Sequence, residues 1–427
     1  MLYDRWLEVA DAFRGETALL EVASGRRWTF GELRSIVEAA EPPSDPAVVA
    51  EGRSADFILA VLKGWRFRLP VCPVEHGQSP SCGFAVPPGV AHMKSTSATG
   101  GKERWVAFTG AQLKADADNI VATMGLRRDM PNVGVISLAH SYGFSSLVTP
   151  LLLHGIPLYL APSPMPESMR AIASLAPAVT LPAVPALWRT WLQVGAIPAN
   201  ARLAISAGAA LPLRVEHEVF ERFGLKIHNF YGSTECGGIA YDATAVPRSN
   251  PELAGSPMRN VRLSLTDSGC LRVEGTAVGE RYWPDPGENL SGGTFITSDL
   301  CDLDGDSVLI RGRADDMINV AGRKASPFVI ESHLARHPAV KDCLVFGVPS
   351  REPGRGEDVV ACVVIEGGSD EEQGLRDFLL GLVPPWQMPR DWLFVDSIPI
   401  NQRGKTPRAE WRERVLASRQ ASRRPHH

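Results

Sequence analysis

The chain has 427 residues, 44% hydrophobic and 22% charged, the composition of an ordinary soluble globular protein with room for two or three domains. A net charge of −4 gives no footing for general nucleic-acid or membrane-surface binding. Seven cysteines at irregular spacing, with no C-x-x-C pair, suggest reduced thiols in a cytoplasmic protein and neither a disulfide frame nor a zinc site.

The opening "MLYDRWLEVADAFRGE" carries charge throughout and lacks the apolar core of a secretory leader. Residues 94–105, "KSTSATGGKERW", read as a loop of small hydroxylated residues and glycines. Glycine lets a backbone approach a ligand closely, and successive N–H groups in such turns cradle anions. Lys102 adds a mobile positive charge. The spacing is not that of a Walker A loop, and a Ser/Gly linker fits the composition as well. Taken alone, the stretch favours the linker.

From about residue 105 to 235, short apolar runs alternate with amphipathic stretches. "NVGVISL" (132–138), "PLYLA", "ARLAISAG" and "KIHNFYG" read as strands. "YGFSSLVTPLLLHG", "VPALWRTWLQVG" and "LPLRVEHEVFERFG" read as helices stopped by glycine. Such alternation predicts βαβ units and a mostly parallel sheet, with ligands at the carboxyl ends of its strands. "SAGAA" (206–210) and "YGSTECGG" (231–238) lie at such ends. The apolar stretch 147–162 is broken by Pro150, Gly155 and Pro157, so no membrane span is expected. Residues 258–312 read as short strands without helices, a small antiparallel or barrel-like unit. After "GRADD" (312–316) the pattern becomes α+β. The expected boundary near Asp315 gives a domain of residues 1–314 and a second of residues 315–427.

Four further segments present polar residues at turns. "NFYGSTECGG" (229–238) offers an aromatic face, a hydroxyl and a carboxylate that could stack a base, bind a phosphate oxygen and hold Mg²⁺. "TSDL" (297–300) offers an aspartate for ribose hydroxyls. "GRADDMINVAGRK" (312–324) offers Arg313 and a glycine before a basic pair. "NQRGKTPR" (401–408) presents Lys405. Each alone reads as an ordinary turn, linker or basic loop.

In this order, the segments resemble the core motifs of the adenylate-forming superfamily: acyl-CoA synthetases, peptide-synthetase adenylation domains and beetle luciferases. "STSATGGK" resembles T-S-G-[ST]-T-G-x-P-K, "YGSTE" resembles Y-G-x-T-E, and "TSDL" resembles T-G-D-L. "GRADDMINVAGRKASPFVIE" resembles G-R-x-D-D-x-I-K-x-x-G-x-[RK]-I-x-P-x-E-I-E, and "GKTPR" the terminal G-K-x-x-R. The resemblance runs from about residue 20 to 412. It implies an α/β fold with a large N-terminal domain of layered helices and mostly parallel sheets, a small β-rich subdomain, and a small mobile α+β C-terminal domain.

The resemblance also implies roles. Thr99, Gly100 and Lys102 would hold the β- and γ-phosphates of ATP. Gly208, Ala209 and Tyr231 would frame the adenine. Thr234 would contact the α-phosphate and Glu235 would bind Mg²⁺. Asp299 and Arg313 would hold the ribose. Asp315 would be the hinge, Gly322 would line the channel for the acceptor thiol, and Lys405 would bridge the carboxylate and the α-phosphate. Fixed positive charge around a leaving pyrophosphate lowers the barrier, and a lysine on a separate domain can supply it and then swing away. This chain departs from the pattern at Ala98, at the missing proline before Lys102, at Ser298 and at Asn319, and it is compressed before residue 95.

The pocket stretch "LAHSYGFSSL" (138–147) carries no acid to hold an α-amine, which points to an aryl or short to medium acyl acid. His140 resembles the histidine of P-x-F-H-x-x-G, and a satisfied helix N-terminal histidine reads equally well. Tyr142, Trp188, Gly208 and Gly232 could line an apolar slot. The acceptor is CoA, or alternatively the phosphopantetheine of an acyl carrier protein. A catalytically silent nucleotide-binding homologue is the third reading.

Overall fold

The computed structural model describes residues 2–79, 86–96, 104–365, 372–399 and 408–421. Six strands run parallel in the order Ile227–Ser233, Ala201–Ser206, Val179–Ala183, Asn132–Gly134, Leu158–Leu160 and Thr17–Glu21. Helices cover both faces, so these strands read as continuous apolar runs; all five residues of Val179–Ala183 are buried. Of "NVGVISL" only Asn132–Gly134 joins the ladder. The helix stops expected at Gly155 and Gly224 are left-handed C-caps, with φ of 70° and 63°.

Strand Ile227–Ser233 then folds back antiparallel on Gly237–Tyr241. From there the sheet continues antiparallel through Leu253–Pro257, Ser307–Arg313, Thr294–Asp304, Cys270–Gly275 and Val261–Leu265. The β-rich unit of residues 258–312 is thus continuous with the parallel sheet, and the hairpin at 227–241 is the seam between them.

A second sheet of five strands was not legible in the sequence. Val48–Glu51, Val71–Val74 and His92–Thr96 are parallel, and Arg104–Phe108 and Arg281–Trp283 add antiparallel. Before residue 95 the chain also forms helices Leu2–Ala12, Phe30–Glu38 and Ala55–Arg66. The loop reading of 94–105 needs correction at both ends. Lys94–Thr96 close one strand and Arg104–Trp105 open the next, with Lys94 and Trp105 only 2% exposed.

One segment near the site has a definite cause. Residues Phe144–Val148 form a π-helical turn before helix Thr149–His154. Pro150 has no N–H to offer the Ser146 carbonyl, and the Asn132 side chain donates to it instead at 3.1 Å.

Beyond residue 317 the chain builds a C-terminal domain on a three-stranded sheet, Val340–Pro349, Glu357–Ile365 and Asp391–Phe394. Side chains alternate across it with period two. Val345, Val359, Ala361 and Val363 pack with helices Pro327–Leu334 and Glu372–Leu379. Leu344, Phe346, Val360 and Cys362 pack on the other face with Trp411 and Val415 of helix Arg408–Ala421. This domain touches the larger one through Ser326 Oγ, which donates to the Arg311 carbonyl at 2.6 Å, and through an Arg189–Asp342 ion pair of 2.9 Å.

Candidate active site

The seam hairpin delivers the site. Gly232 sits where the two strands come close: a Cβ there would lie 2.6 Å from the Gly237 carbonyl oxygen, so a side chain would force the hairpin apart. Tyr231, one residue earlier, extends its hydroxyl across to the antiparallel sheet and donates to Asp299 Oδ2 at 2.5 Å. Burial pushes the Tyr231 phenol well above its ordinary pKa and the Asp299 charge adds to this, so Tyr231 keeps its proton and acts as donor. Asp299 and Arg313 are register partners on neighbouring strands, with Arg313 Nε 3.5 Å from Asp299 Oδ1. The terminal guanidinium nitrogen donates to Ser298 Oγ at 2.6 Å. The departure at Ser298 therefore steadies Arg313. Its Nε is buried and has no hydrogen-bond partner among the described residues.

At the tip of the hairpin, Ser233 Oγ accepts from the Glu235 N–H at 3.2 Å, and the Glu235 carbonyl accepts from the Gly279 N–H at 2.8 Å. Tyr282, from the five-stranded sheet, donates its hydroxyl to Glu235 Oε1 at 3.0 Å, and the Arg104 guanidinium lies 3.8 Å over the Tyr282 ring. Thr234 is half-buried in the same turn. Among the described residues no group of three or more His, Cys, Asp or Glu could hold a metal ion unaided. One oriented carboxylate does suit Mg²⁺, which is commonly held by one or two carboxylates together with substrate phosphates.

On the acyl side, Gly143 packs where a Cβ would lie 1.8 Å from the Ser137 carbonyl oxygen, which brings His140 and Tyr142 against the strand ends. His140 Nε2 lies 3.3 Å from Glu75 Oε1, and Ser137 Oγ also donates to Glu75. Tyr142 and Trp188 each donate to the Ile205 carbonyl at 3.3 Å. Trp188 is wholly buried and edge-on to Trp191, so it props the strand end from behind. Gly208 and Ala209 are exposed just past that strand, Gly208 with a φ of 89°.

Two family models match this chain, that of the AMP-binding enzyme over residues 87–286 and that of the AMP-binding enzyme C-terminal domain over residues 329–405. The chain belongs to the adenylate-forming superfamily. The mitochondrial malonate–CoA ligase of Mus musculus is 26% identical over 77% of this chain and 65% of its own length. The 4-hydroxybenzoate–CoA/benzoate–CoA ligase of Rhodopseudomonas palustris is 26% identical over 78% of this chain and 66% of its own length. The chain thus spans just under two thirds of these relatives. The crystal structure of ATP-bound MatB from Rhodopseudomonas palustris is similar in fold, with a TM-score of 0.82 at 21% identity over 97% of this chain and 99% of that one.

The structure brings some of the residues expected at the site together and leaves others apart. Tyr231, Asp299 and Arg313 meet directly, and Thr234 and Glu235 stand at the tip of the same hairpin. Gly322 lies apart: it is exposed, and no heavy atom lies within 4 Å of where its Cβ would be. Asp315 sits exposed in a single 3-10 turn, Ala314–Asp316. Thr99, Gly100, Lys102 and Lys405 lie outside the described residues. Arg408, the last residue of the terminal motif, donates at 2.6 Å to both oxygens of Glu331, the last residue of the long motif. Sequence reasoning missed Tyr282, Arg104, Lys94 and Asp116, because none falls within a fixed motif position.

Proposed function

We propose that this protein activates a carboxylic acid with ATP, releasing pyrophosphate, and passes the acyl group from the adenylate to a thiol, most simply that of CoA. The observation that carries this reading is the Tyr231–Asp299–Arg313 cluster beside the Glu235 turn. A phenol ring, a carboxylate and a guanidinium whose Nε makes no hydrogen bond offer a stacking face for adenine and both acceptor and donor for ribose hydroxyls. Thr234 would contact the α-phosphate, and Mg²⁺ held through Glu235 would neutralise developing charge on the phosphates. Tyr282 fixes the orientation of that carboxylate. Lys102 and Lys405 supply the remaining positive charge, and rotation about Asp315 brings Gly322 to the thiol channel. Relatives are named for CoA ligation of malonate, benzoates, 2-succinylbenzoate and sulfoacetate, and these names support a small acid without an α-amino group.

The carrier-protein alternative has one observation in its favour. A fatty acid–[acyl-carrier-protein] ligase of Streptomyces coeruleorubidus is 32% identical over 54% of this chain and 49% of its own length.

The test supplies ATP, Mg²⁺, a panel of aryl and short acyl acids, and either CoA or a phosphopantetheinylated carrier. Pyrophosphate and AMP are the expected products, with a thioester detected by mass spectrometry. ADP and orthophosphate, or no turnover with any acid, would overturn the reading.

A further inference from the structure

Lys94 is the middle residue of strand His92–Thr96, on the stem of a hairpin whose other arm begins at Arg104. A lysine only 2% exposed in the interior of a large domain needs a reason. Its Nζ donates to Ser145 Oγ at 3.0 Å, lies 3.6 Å from Asp116 Oδ2, and sits 4.7 Å over the Phe108 ring. Ser145 Oγ in turn donates to Asp116 Oδ2 at 2.5 Å. Burial lowers the Lys94 pKa while the Asp116 charge opposes that shift. His92, two residues earlier on the same face, is held neutral by burial and by the Lys94 charge.

The other oxygen of Asp116 faces the Glu235 turn. Asp116 Oδ1 accepts from the Gly238 N–H at 3.3 Å, and a Cβ on Gly237 would lie 2.0 Å from it. The backbone of the hairpin therefore rests directly on this carboxylate. Arg104, on the other arm, stacks on Tyr282, which holds the Glu235 carboxylate. The two arms of one hairpin stem thus both reach the Glu235 turn, one through Asp116 at its backbone (the rear brace) and one through Tyr282 at its carboxylate (the front brace).

We propose that Lys94, acting through Asp116, is a positioning residue for nucleotide binding: the pair fixes the Glu235–Gly238 turn relative to the Lys94–Arg104 hairpin stem. This rests on the functional reading above. It also gives a reason for a buried charge pair in a place where an apolar pair would pack as well. An apolar residue at 116 would leave the Gly238 N–H unpaired, and an unpaired Asp116 would remain a buried charge.

The experiment compares the wild-type chain with Lys94→Met and Ser145→Ala, well below their thermal midpoints. Binding of a nonhydrolysable ATP analogue with Mg²⁺ is measured by calorimetry, and steady-state kinetics are measured in ATP and in the acid. Lys94→Met is expected to weaken analogue binding and raise the KM for ATP about tenfold to a hundredfold. The KM for the acid and thioester formation from a presynthesised acyl-adenylate should stay near wild type. Ser145→Ala removes the hydroxyl that links Lys94 to Asp116 but keeps both charges, and should shift the same two quantities by a few fold, which keeps the inference testable if Lys94→Met does not fold. A lower thermal midpoint with unchanged ATP KM and analogue affinity would make the pair a packing feature and overturn the proposal. Wild-type protein that binds no Mg²⁺–ATP analogue would overturn the functional reading and this inference with it.

Discussion

Among the described residues the large domain buries two sets of charges, and they are built on different plans. Glu216, Lys226, Asp242 and Arg248 form a balanced tetrad in which every side chain is less than 7% exposed. Arg248 donates from its main-chain N–H and from Nε to Glu216, and to the Leu211 and Leu253 carbonyls. Lys226 donates to Glu216, to Asp242 at 2.7 Å and to the Ile227 carbonyl. Lys94 and Asp116, by contrast, stand 3.6 Å apart and are joined through a serine. The tetrad spends its donors and acceptors on holding helix Leu213–Phe223, strand Ile227–Ser233 and residue Leu211 together. The pair leaves one carboxylate oxygen for the backbone of a functional turn. Two buried ion clusters in one domain can therefore serve stability and position separately, and the hydrogen-bond partners distinguish them.

The sharpest way to break that contrast is Arg248→Met. It strands Glu216 against one lysine, takes the Arg248 donor from the buried Leu211 carbonyl and leaves the Leu253 carbonyl with Asn229 at 3.4 Å. Breaking a buried pair by removing one partner costs about 3–5 kcal/mol. Urea unfolding should show that loss in full, with the ATP KM of the remaining folded protein unchanged. In Lys94→Met, Asp116 keeps the Ser145 and Gly238 donors, so the stability loss should be smaller while the ATP KM moves. Equal stability losses with no kinetic split would erase the distinction.

A second, smaller effect concerns a cluster open to solvent. Asp299→Ala removes the acceptor of Tyr231 and the partner of Arg313 without leaving a buried charge, because Arg313 is only half-buried and keeps Ser298. A hydrogen bond to a charged group contributes about 1.5–3 kcal/mol. The KM for ATP should rise about tenfold to a hundredfold, with a thermal midpoint close to wild type. An unchanged KM would remove Asp299 from the nucleotide site.

The sequence made the site legible where chemistry fixes residue types in short polar segments. Tyr231, Glu235, Asp299 and Arg313 stand out in that way, and the first, third and fourth do meet, although Asp299 lies in the middle of strand Thr294–Asp304 and not at a strand end or turn. Four of the six parallel strands were legible because strands and helices alternate between 132 and 233; Val179–Ala183 and Thr17–Glu21 were not read. The five-stranded sheet was not, since strands of four or five residues such as Val71–Val74 carry too few positions to show a period. Lys94 was hidden for a different reason. A lysine beside Ser, Thr and Gly reads as solvated, and only the fold reveals that Asp116 and Ser145, distant in sequence, receive it.

Acid titration tests the tetrad from another side, with a smaller effect again. Burial raises the Asp242 pKa, but hydrogen bonds from Lys226 and Thr244 outweigh this and leave it below its ordinary value of 3.8. A carboxylate with a depressed folded pKa contributes stability above its unfolded pKa and loses it as pH falls through the folded one. Glu331 in the C-terminal domain has the opposite shift: burial raises it above 4.5 despite Arg408. Its folded form binds the proton more readily, so that group favours folding as pH drops through the window above 4.5. Below about pH 4, Asp242→Asn should therefore be less acid-sensitive than wild type, while Glu331→Gln should flatten the profile above pH 4.5. Identical acid profiles in all three proteins would contradict both assignments.

The smallest expected effect isolates the front brace of the Glu235 turn. Tyr282→Phe keeps the ring, and with it the Arg104 stack at 3.8 Å, and removes only the hydroxyl that donates to Glu235 Oε1. Burial and the Glu235 charge both push the Tyr282 pKa upward, so this hydroxyl is a donor throughout the working pH range. A single hydrogen bond to a carboxylate that water can replace contributes about 0.5–1.5 kcal/mol, a few-fold effect. If the front brace orients Glu235, Tyr282→Phe should raise the Mg²⁺ concentration needed for half-maximal adenylation by that factor. The KM for the acid and the rate of thiol transfer should not change. Combined with Ser145→Ala, which weakens the rear brace, the loss should exceed the sum of the two single losses, because each brace limits the freedom the other leaves to the turn. Strict additivity would mean that the front and rear contacts hold different parts of the site and that the two-sided clamp does not operate as one device.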